Sequence, residues 1–199
     1  MTLVEERPAA AGISPERRAM IDSQLRVSGV NDPAILAAFA AVAREDFVPA
    51  ERRAVAYADR AVPLDGGAVL APALTHGQML TAAEPVAADT VLVIGEPGEY
   101  LAALAGELAD SVTLVAPGGE SGAPGPFSLI LVDGAIEQAS TDLVAALADD
   151  GRVVTGLVER GVPRLALGRK INGELALTSL GEADFAVLPH YAAPKSWSF

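Results

Sequence analysis

The spacing of apolar residues changes character twice along this chain. From Ser14 to Ala83 they recur at helical intervals. Ser14-Pro15-Glu16 reads as a helix start, with a serine cap and proline at the first helical position. That helix is expected to run to about Val27, with Met20, Ile21, Gln24 and Leu25 on one face and Gly29 as its stop. Asp32-Pro33 opens a second helix that buries Ile35, Leu36 and Phe39, and Pro49 opens a short third one through Ala56. Gly66-Gly67 marks a loop, and Pro72 to Ala83 reads as a helix with Leu74, Met79 and Leu80 toward the core. This stretch has too few large apolar residues to fold alone, so it is expected to pack on the remainder of the chain.

The pattern then turns to strands. Thr90-Val91-Leu92-Val93-Ile94 is a continuous apolar run, as a central parallel strand covered on both faces requires. Tyr100 to Leu108 reads as a helix, Ser111 to Val115 as a strand, and Ser128 to Val132 as another strand followed by Asp133-Gly134. Thr141 to Ala148 is a further helix and Gly151 to Val158 a strand. The last third alternates. Leu165 to Lys170 and Glu174 to Leu180 flank Asn172-Gly173, a strong two-residue hairpin signal, and Phe185 to Leu188 is a candidate final strand. Parallel β-α units thus precede an antiparallel end, with a linker-like stretch only at Gly118 to Pro126.

Composition narrows the function. The 199 residues fit one domain, spanning 1–199, with a helical segment over 14–83 packed on an α/β core over 90–199. A net charge of −12 argues against binding nucleic acid or an anionic membrane, both of which need clustered Lys and Arg. The absence of cysteine removes disulfides, thiolate metal sites and Cys nucleophiles, and fits a cytoplasmic protein. The first residues lack the basic start and apolar run of a secretory signal, and no apolar stretch approaches the ~20 residues that span a bilayer.

The candidate chemistry lies in the turn after the first central strand, Gly95-Glu96-Pro97-Gly98-Glu99-Tyr100. Glycines there let the backbone approach a ligand, and the helix after the turn offers free N–H groups. Gly95 and Gly98 equally suit a plain tight turn. Asp133 either faces a ligand crevice at a strand's carboxyl end or caps the next turn. His76 and His190 are far apart and point to structural or surface roles rather than a metal. Glu182 and Asp184 read as a solvated loop, and Tyr191, Trp197 and Phe199 as tail anchors.

Several segments resemble protein-L-isoaspartate O-methyltransferases: Met20 to Leu25, Gly29 to Asp32, Val42 to Pro49, Ala56 to Asp59, Val91 to Gly95 with Tyr100, Phe127 to Ala135, and Leu188-Pro189. The resemblance covers nearly the whole chain. It implies a Rossmann-like S-adenosylmethionine methyltransferase fold that methylates the carboxylate of damaged aspartyl residues in proteins. Here the sheet would be shortened and mostly parallel, with a helical N-terminal segment and an antiparallel C-terminal edge. It makes Gly95, Gly98, Tyr100 and Asp133 the cofactor-binding candidates, with no metal.

The chain departs from that family at each part of the site. Pro97 and Glu99 stand where the family's second and third glycines belong. Proline removes a backbone donor, and both Glu96 and Glu99 can take up the helix dipole themselves. The second strand leads to Ala116-Pro117, where the family carries an acid for the ribose hydroxyls. About nine residues, 118–126, replace a β-α unit that needs roughly 30. The family's serine beside the reacting carboxylate aligns best with Ala71, so no catalytic residue is assigned. These departures predict an eroded site with no tightly bound cofactor, little or no methyl transfer, and a binding or scaffolding role with a protein or peptide partner. Two alternatives stand beside this reading: an active enzyme with an unusual cofactor mode, and an oligomeric structural component that pairs through the exposed second strand.

Overall fold

The computed structural model describes residues 12–119 and 125–193. The first helix, α1 (Pro15–Met20), starts where the sequence places it: Ser14 Oγ accepts from Arg17 N at 3.2 Å. The helical path continues through one wide turn, Ile21–Leu25, and one tight turn, Arg26–Ser28. It ends at Gly29, whose φ of 93° only glycine adopts without strain. The Asp32 carboxylate caps α2 (Pro33–Ala41), accepting from Ala34 N at 2.8 Å and Ile35 N at 3.1 Å. Short helical turns come next, at Arg44–Phe47 and Ala50–Val55. A two-residue hairpin of β1 (Val62–Pro63) and β2 (Val69–Leu70) then leads into α3 (Ala73–Ala83).

The central sheet has six strands in the order β4-β3-β5-β6-β7-β8. They are β3 (Thr90–Ile94), β4 (Ser111–Val115), β5 (Phe127–Ile136), β6 (Leu147–Glu159), β7 (Val162–Ile171) and β8 (Glu174–Glu182). The first four run parallel, and β7 and β8 complete the sheet antiparallel. Two helices lie between the parallel strands, α4 (Glu99–Gly106) and α5 (Thr141–Ala146). The order places β4 at one edge, as the short 118–126 connection requires: among the described residues no strand lies beyond it.

Period-two burial explains the layers. Val91, Val93, Leu129 and Leu131 face a large core shared with the N-terminal helices, α3 and α4. Leu92, Ile94, Ile130 and Val132 face a smaller one, covered by α5, Leu188 and Tyr191. The helical segment therefore packs on the sheet, as its sparse apolar content requires. Arg17 ties it laterally, donating to Tyr57 Oη at 2.9 Å and Ala40 O at 2.8 Å. No helix among the described residues is long and apolar enough to cross a membrane.

Some boundaries differ from the sequence reading. β5 runs past Val132 to Ile136, so Asp133 lies within a strand and caps no turn. The fifth helix stops at Ala146, and Leu147 already pairs with Phe127. The hairpin at Asn172-Gly173 is present, with φ of 54° and 82°. A second one stands at Arg160-Gly161, with φ of 53° and 81°. It escapes sequence reading because arginine is not a usual turn residue at positive φ. Glu182 ends β8 and pairs with Arg164 at 3.4 Å instead of lying in a loop. Phe185 to Leu188 forms no strand beyond a single bridge, Ala135 to Val187, and the tight turn Pro189–Tyr191 follows directly. Trp197 and Phe199 lie outside the described residues.

Candidate functional site

The carboxyl ends of β3, β4 and β5 bring the glycine turn, Ala116 and Asp133 to one end of the sheet. In the turn, close backbone packing demands glycine at 95, while at 98 a side chain would have to displace the half-exposed Leu114. A Cβ on Gly95 would sit 2.9 Å from Asp133 Cβ and 3.1 Å from Gly98 Cα. One on Gly98 would sit 2.7 Å from Leu114 Cδ1. Neither residue has a positive φ, so close approach, not conformation, selects glycine here. Glu96 and Glu99 are exposed, and Glu99 opens α4.

Tyr100 turns inward. It is 1 % exposed and packs against Phe47 at 5.3 Å between ring centroids and His76 at 5.5 Å. Arg44 lies over its ring at 4.9 Å and is fully buried. The guanidinium donates to Ala56 O at 2.7 Å and Ala71 O at 2.6 Å. Burial lowers its affinity for the proton, an effect only partly offset by Tyr100 and Asp133. Burial likewise pushes the Tyr100 phenol up, so it stays protonated.

Asp133 meets a residue 57 positions away. Its Oδ1 lies 3.0 Å from His76 Nε2, with both side chains nearly inaccessible. His76 is thus a buried partner of Asp133, and no group of three potential metal ligands forms among the described residues. Arg44 Nη1, His76 Nδ1 and the Tyr100 hydroxyl are buried without a hydrogen-bond partner. Ala71 lines a small cavity of about 120 Å³ with Asp133, Gly134 and Asp184. Sequence reading missed Arg44 and the His76–Asp133 pair. A lone arginine followed by two acids, Glu45 and Asp46, carries no sign of burial, and the pair is made only by α3 packing on β5.

At the end of β4, Ala116-Pro117 presents no side-chain acceptor. The His190 ring packs against Gly118 there, leaving no room for a Cβ, and Tyr191 is buried beside it as a tail anchor. A cavity of about 540 Å³ remains under these strand ends, lined by Leu92, Ile94, Ala116, Asp142, His190 and Tyr191 among others. This donor set differs from the one the resemblance implies. No acid stands at the end of β4 itself, and the acid that lines this cavity, Asp142, comes from α5.

A family model for protein-L-isoaspartate(D-aspartate) O-methyltransferase matches residues 16–117, from α1 through the end of β4. A protein-L-isoaspartate O-methyltransferase of Koribacter versatilis is 31 % identical over 208 residues, covering 91 % of this chain and 94 % of its own. One from Roseiflexus castenholzii is 30 % identical over 200 residues, covering 87 % and 91 %. Among solved structures, a Plasmodium falciparum chain of the same description, in complex with S-adenosyl-L-homocysteine, superposes with a TM-score of 0.71 at 14 % identity. It covers 87 % of this chain and 98 % of that one, a likeness of fold. The sequence match across the helical segment and the first two parallel strands, carried on this sheet order, places the chain in the protein-L-isoaspartate O-methyltransferase family.

Proposed function

We propose that this family member has an eroded S-adenosylmethionine site, transfers methyl groups little or not at all, and serves as a folded binding or scaffolding protein. The observation that carries this reading is the end of β4. Ala116-Pro117 offers no side-chain acceptor to a ribose, and β4 is the edge of the sheet among the described residues. A hydrogen bond to a charged group contributes roughly 1.5–3 kcal/mol, whereas micromolar binding amounts to about 8 kcal/mol in total. Losing the ribose acid and the contacts of the next strand would therefore weaken the cofactor to millimolar or beyond. Pro97 and Glu99 in the turn act in the same direction.

Calorimetric titration of the full chain with S-adenosylmethionine tests this, together with methyl incorporation into an isoaspartyl peptide. The expected result is no saturation below roughly millimolar cofactor and no incorporation above background. A low-micromolar dissociation constant with incorporation would overturn it. That outcome would favour the second reading, an active protein-repair methyltransferase with an unusual cofactor mode. This reading draws support from the cavity of about 540 Å³ beneath the strand ends and from relatives named as enzymes. Peptide binding without incorporation would favour a retained cleft without chemistry.

A further inference from the structure

We propose that β4 is a pairing edge for a second copy of this chain, joined antiparallel about a two-fold axis at Thr113 so that the two sheets run on as one. This does not rest on the state of the cofactor site.

Strand geometry sets the hydrogen bonds. Among the described residues β4 pairs with β3 on one side and with no strand on the other. Val115 O accepts from Gly95 N at 3.0 Å, so Val115 turns its backbone groups toward β3. Successive residues of a strand turn theirs to opposite sides. Ser111, Thr113 and Val115 therefore serve β3, and Val112 and Leu114 present N–H and C=O outward. A two-fold axis at Thr113 sets Val112 against the partner's Leu114, and Leu114 against the partner's Val112. Outward groups thus meet outward groups, and each pair exchanges both of its N–H···O bonds. This register also pairs every residue of the strand.

The side chains match in the same register. Val112 packs on the core beneath α4, so Val112 and Leu114 of both copies gather on that face. Leu114 is 38 % exposed and gains cover there. Thr113 meets itself on the other face, between Ser111 and the partner's Val115, and such threonine pairs favour an antiparallel ladder. Between Glu99 and Glu107, the residues of α4 that are not buried are Ala102, Ala103 and Gly106. No long side chain among them holds a second α4 away from the seam.

Nothing within β4 guards this edge. Sheet edges are commonly protected by charge, proline or a bulge. The strand holds no charged residue and no proline, and its register against β3 is unbroken from Ser111 to Val115. The far edge, β8, is different: Glu174 and Glu182 close its ends, and its register against β7 shifts once. Self-pairing of β8 about Thr178 would set Glu174 against the partner's Glu182. In the β4 pair, Asp110, the charge adjoining the strand, falls opposite Ala116, and the two copies of Asp110 stand about 20 Å apart along the strands. That exceeds the Debye length of about 8 Å at physiological ionic strength. The net charge of −12 still opposes self-association at low salt.

The chain has no cysteine, so one introduced thiol reports the register. Opposed residues that exchange no hydrogen bonds across an antiparallel pair lie about 4.5 Å apart between Cα atoms, within the span of a disulfide. Thr113→Cys is therefore expected to give a disulfide-linked dimer on mild oxidation of the full chain at about 1 M salt. Ser111→Cys, at the more exposed position, sets its two thiols about 14 Å apart and is expected to crosslink at least about tenfold more slowly. Sedimentation equilibrium of the parent at the same salt is expected to show an average mass rising above the monomer between about 0.01 and 1 mM. Leu114→Lys places a charge on the edge and is expected to hold the mass at the monomer value, with an unchanged circular dichroism spectrum. Equal crosslinking of the two cysteine variants, a monomer mass throughout the series, or a dimer that survives Leu114→Lys would overturn the proposal. These readouts concern the strand edge alone. Tight cofactor binding would overturn the eroded-site proposal and leave this one to be decided by the crosslinking.

Discussion

At the residue scale the site is dominated by buried polar groups that hold one another. Asp133 and His76 are the clearest pair, because each is close to inaccessible and their contact is 3.0 Å. Removing one partner leaves the other's desolvation uncompensated, which costs more than the bond contributes. His76→Phe, which fills the same volume, is expected to destabilise the fold by about 2 kcal/mol at neutral pH. Asp133→Asn in that background should recover part of the loss by removing the stranded charge. Urea unfolding of the two single variants and the double variant gives the coupling, expected between about 0.5 and 3 kcal/mol; strictly additive effects would show that the pair is incidental. Neither partner was legible as such in the sequence. Asp133 could be placed at a strand's carboxyl end, but its partner sits on a helix whose packing is settled only in three dimensions. Arg44 was hidden for a different reason: fully buried arginine is rare, so nothing in its neighbours argues for it.

At the element scale the opposite end of the sheet is fastened by one acid. Asp89 precedes β3 and accepts from Arg152 of β6 at 2.6 and 3.0 Å, from Ser128 of β5 at 2.7 Å, and from Val86 N at 2.9 Å. Three parallel strands are thereby held in register from a single carboxylate. Burial alone would raise its pKa, but Arg152, the Val86 amide and Ser128 outweigh that and bring it down to about 2 from 3.8. A depressed carboxylate contributes stability that is complete above its unfolded value and is lost as pH falls through the folded one. The contribution is about 2 kcal/mol. Asp89→Asn should therefore lower stability by roughly that amount at pH 7 and flatten its dependence between about pH 4 and pH 2. Equal slopes for both proteins in an acid titration followed by circular dichroism would refute this role. The regular elements were the readable part of the chain. Apolar runs gave β3 and β5, caps gave α1 and α2, and Asn172-Gly173 gave the last hairpin. The misses fell where local signals were weak, at Arg160-Gly161, or where pairing overruled propensity, as when β5 continued through Asp133-Gly134.

At the scale of the whole molecule, the short connection between β4 and β5 and the acidic balance act together. The first was legible from length alone, since no β-α unit fits between Val115 and Phe127, and among the described residues β4 is the edge of the sheet. The second was legible only as a total. A net charge of −12 says nothing about where the charges gather, and folding sets four of the carboxylates around one cavity at the glycine turn. Such a cluster stores repulsion that a stability-optimised surface would not keep. Its cost is electrostatic and therefore screened: the Debye length falls from about 30 Å at 0.01 M salt to about 3 Å at 1 M. Asp65→Asn with Glu96→Gln removes two of the charges without touching the first turn of α4, where Glu99 interacts favourably with the helix dipole. This variant is expected to melt about 2 °C higher than the parent at low salt, the shift that relief of under 1 kcal/mol gives in a chain of this size. The difference should vanish at high salt. Thermal melts across a salt series decide the matter: a variant that melts lower at every ionic strength would mean that these carboxylates stabilise the fold and carry no stored repulsion.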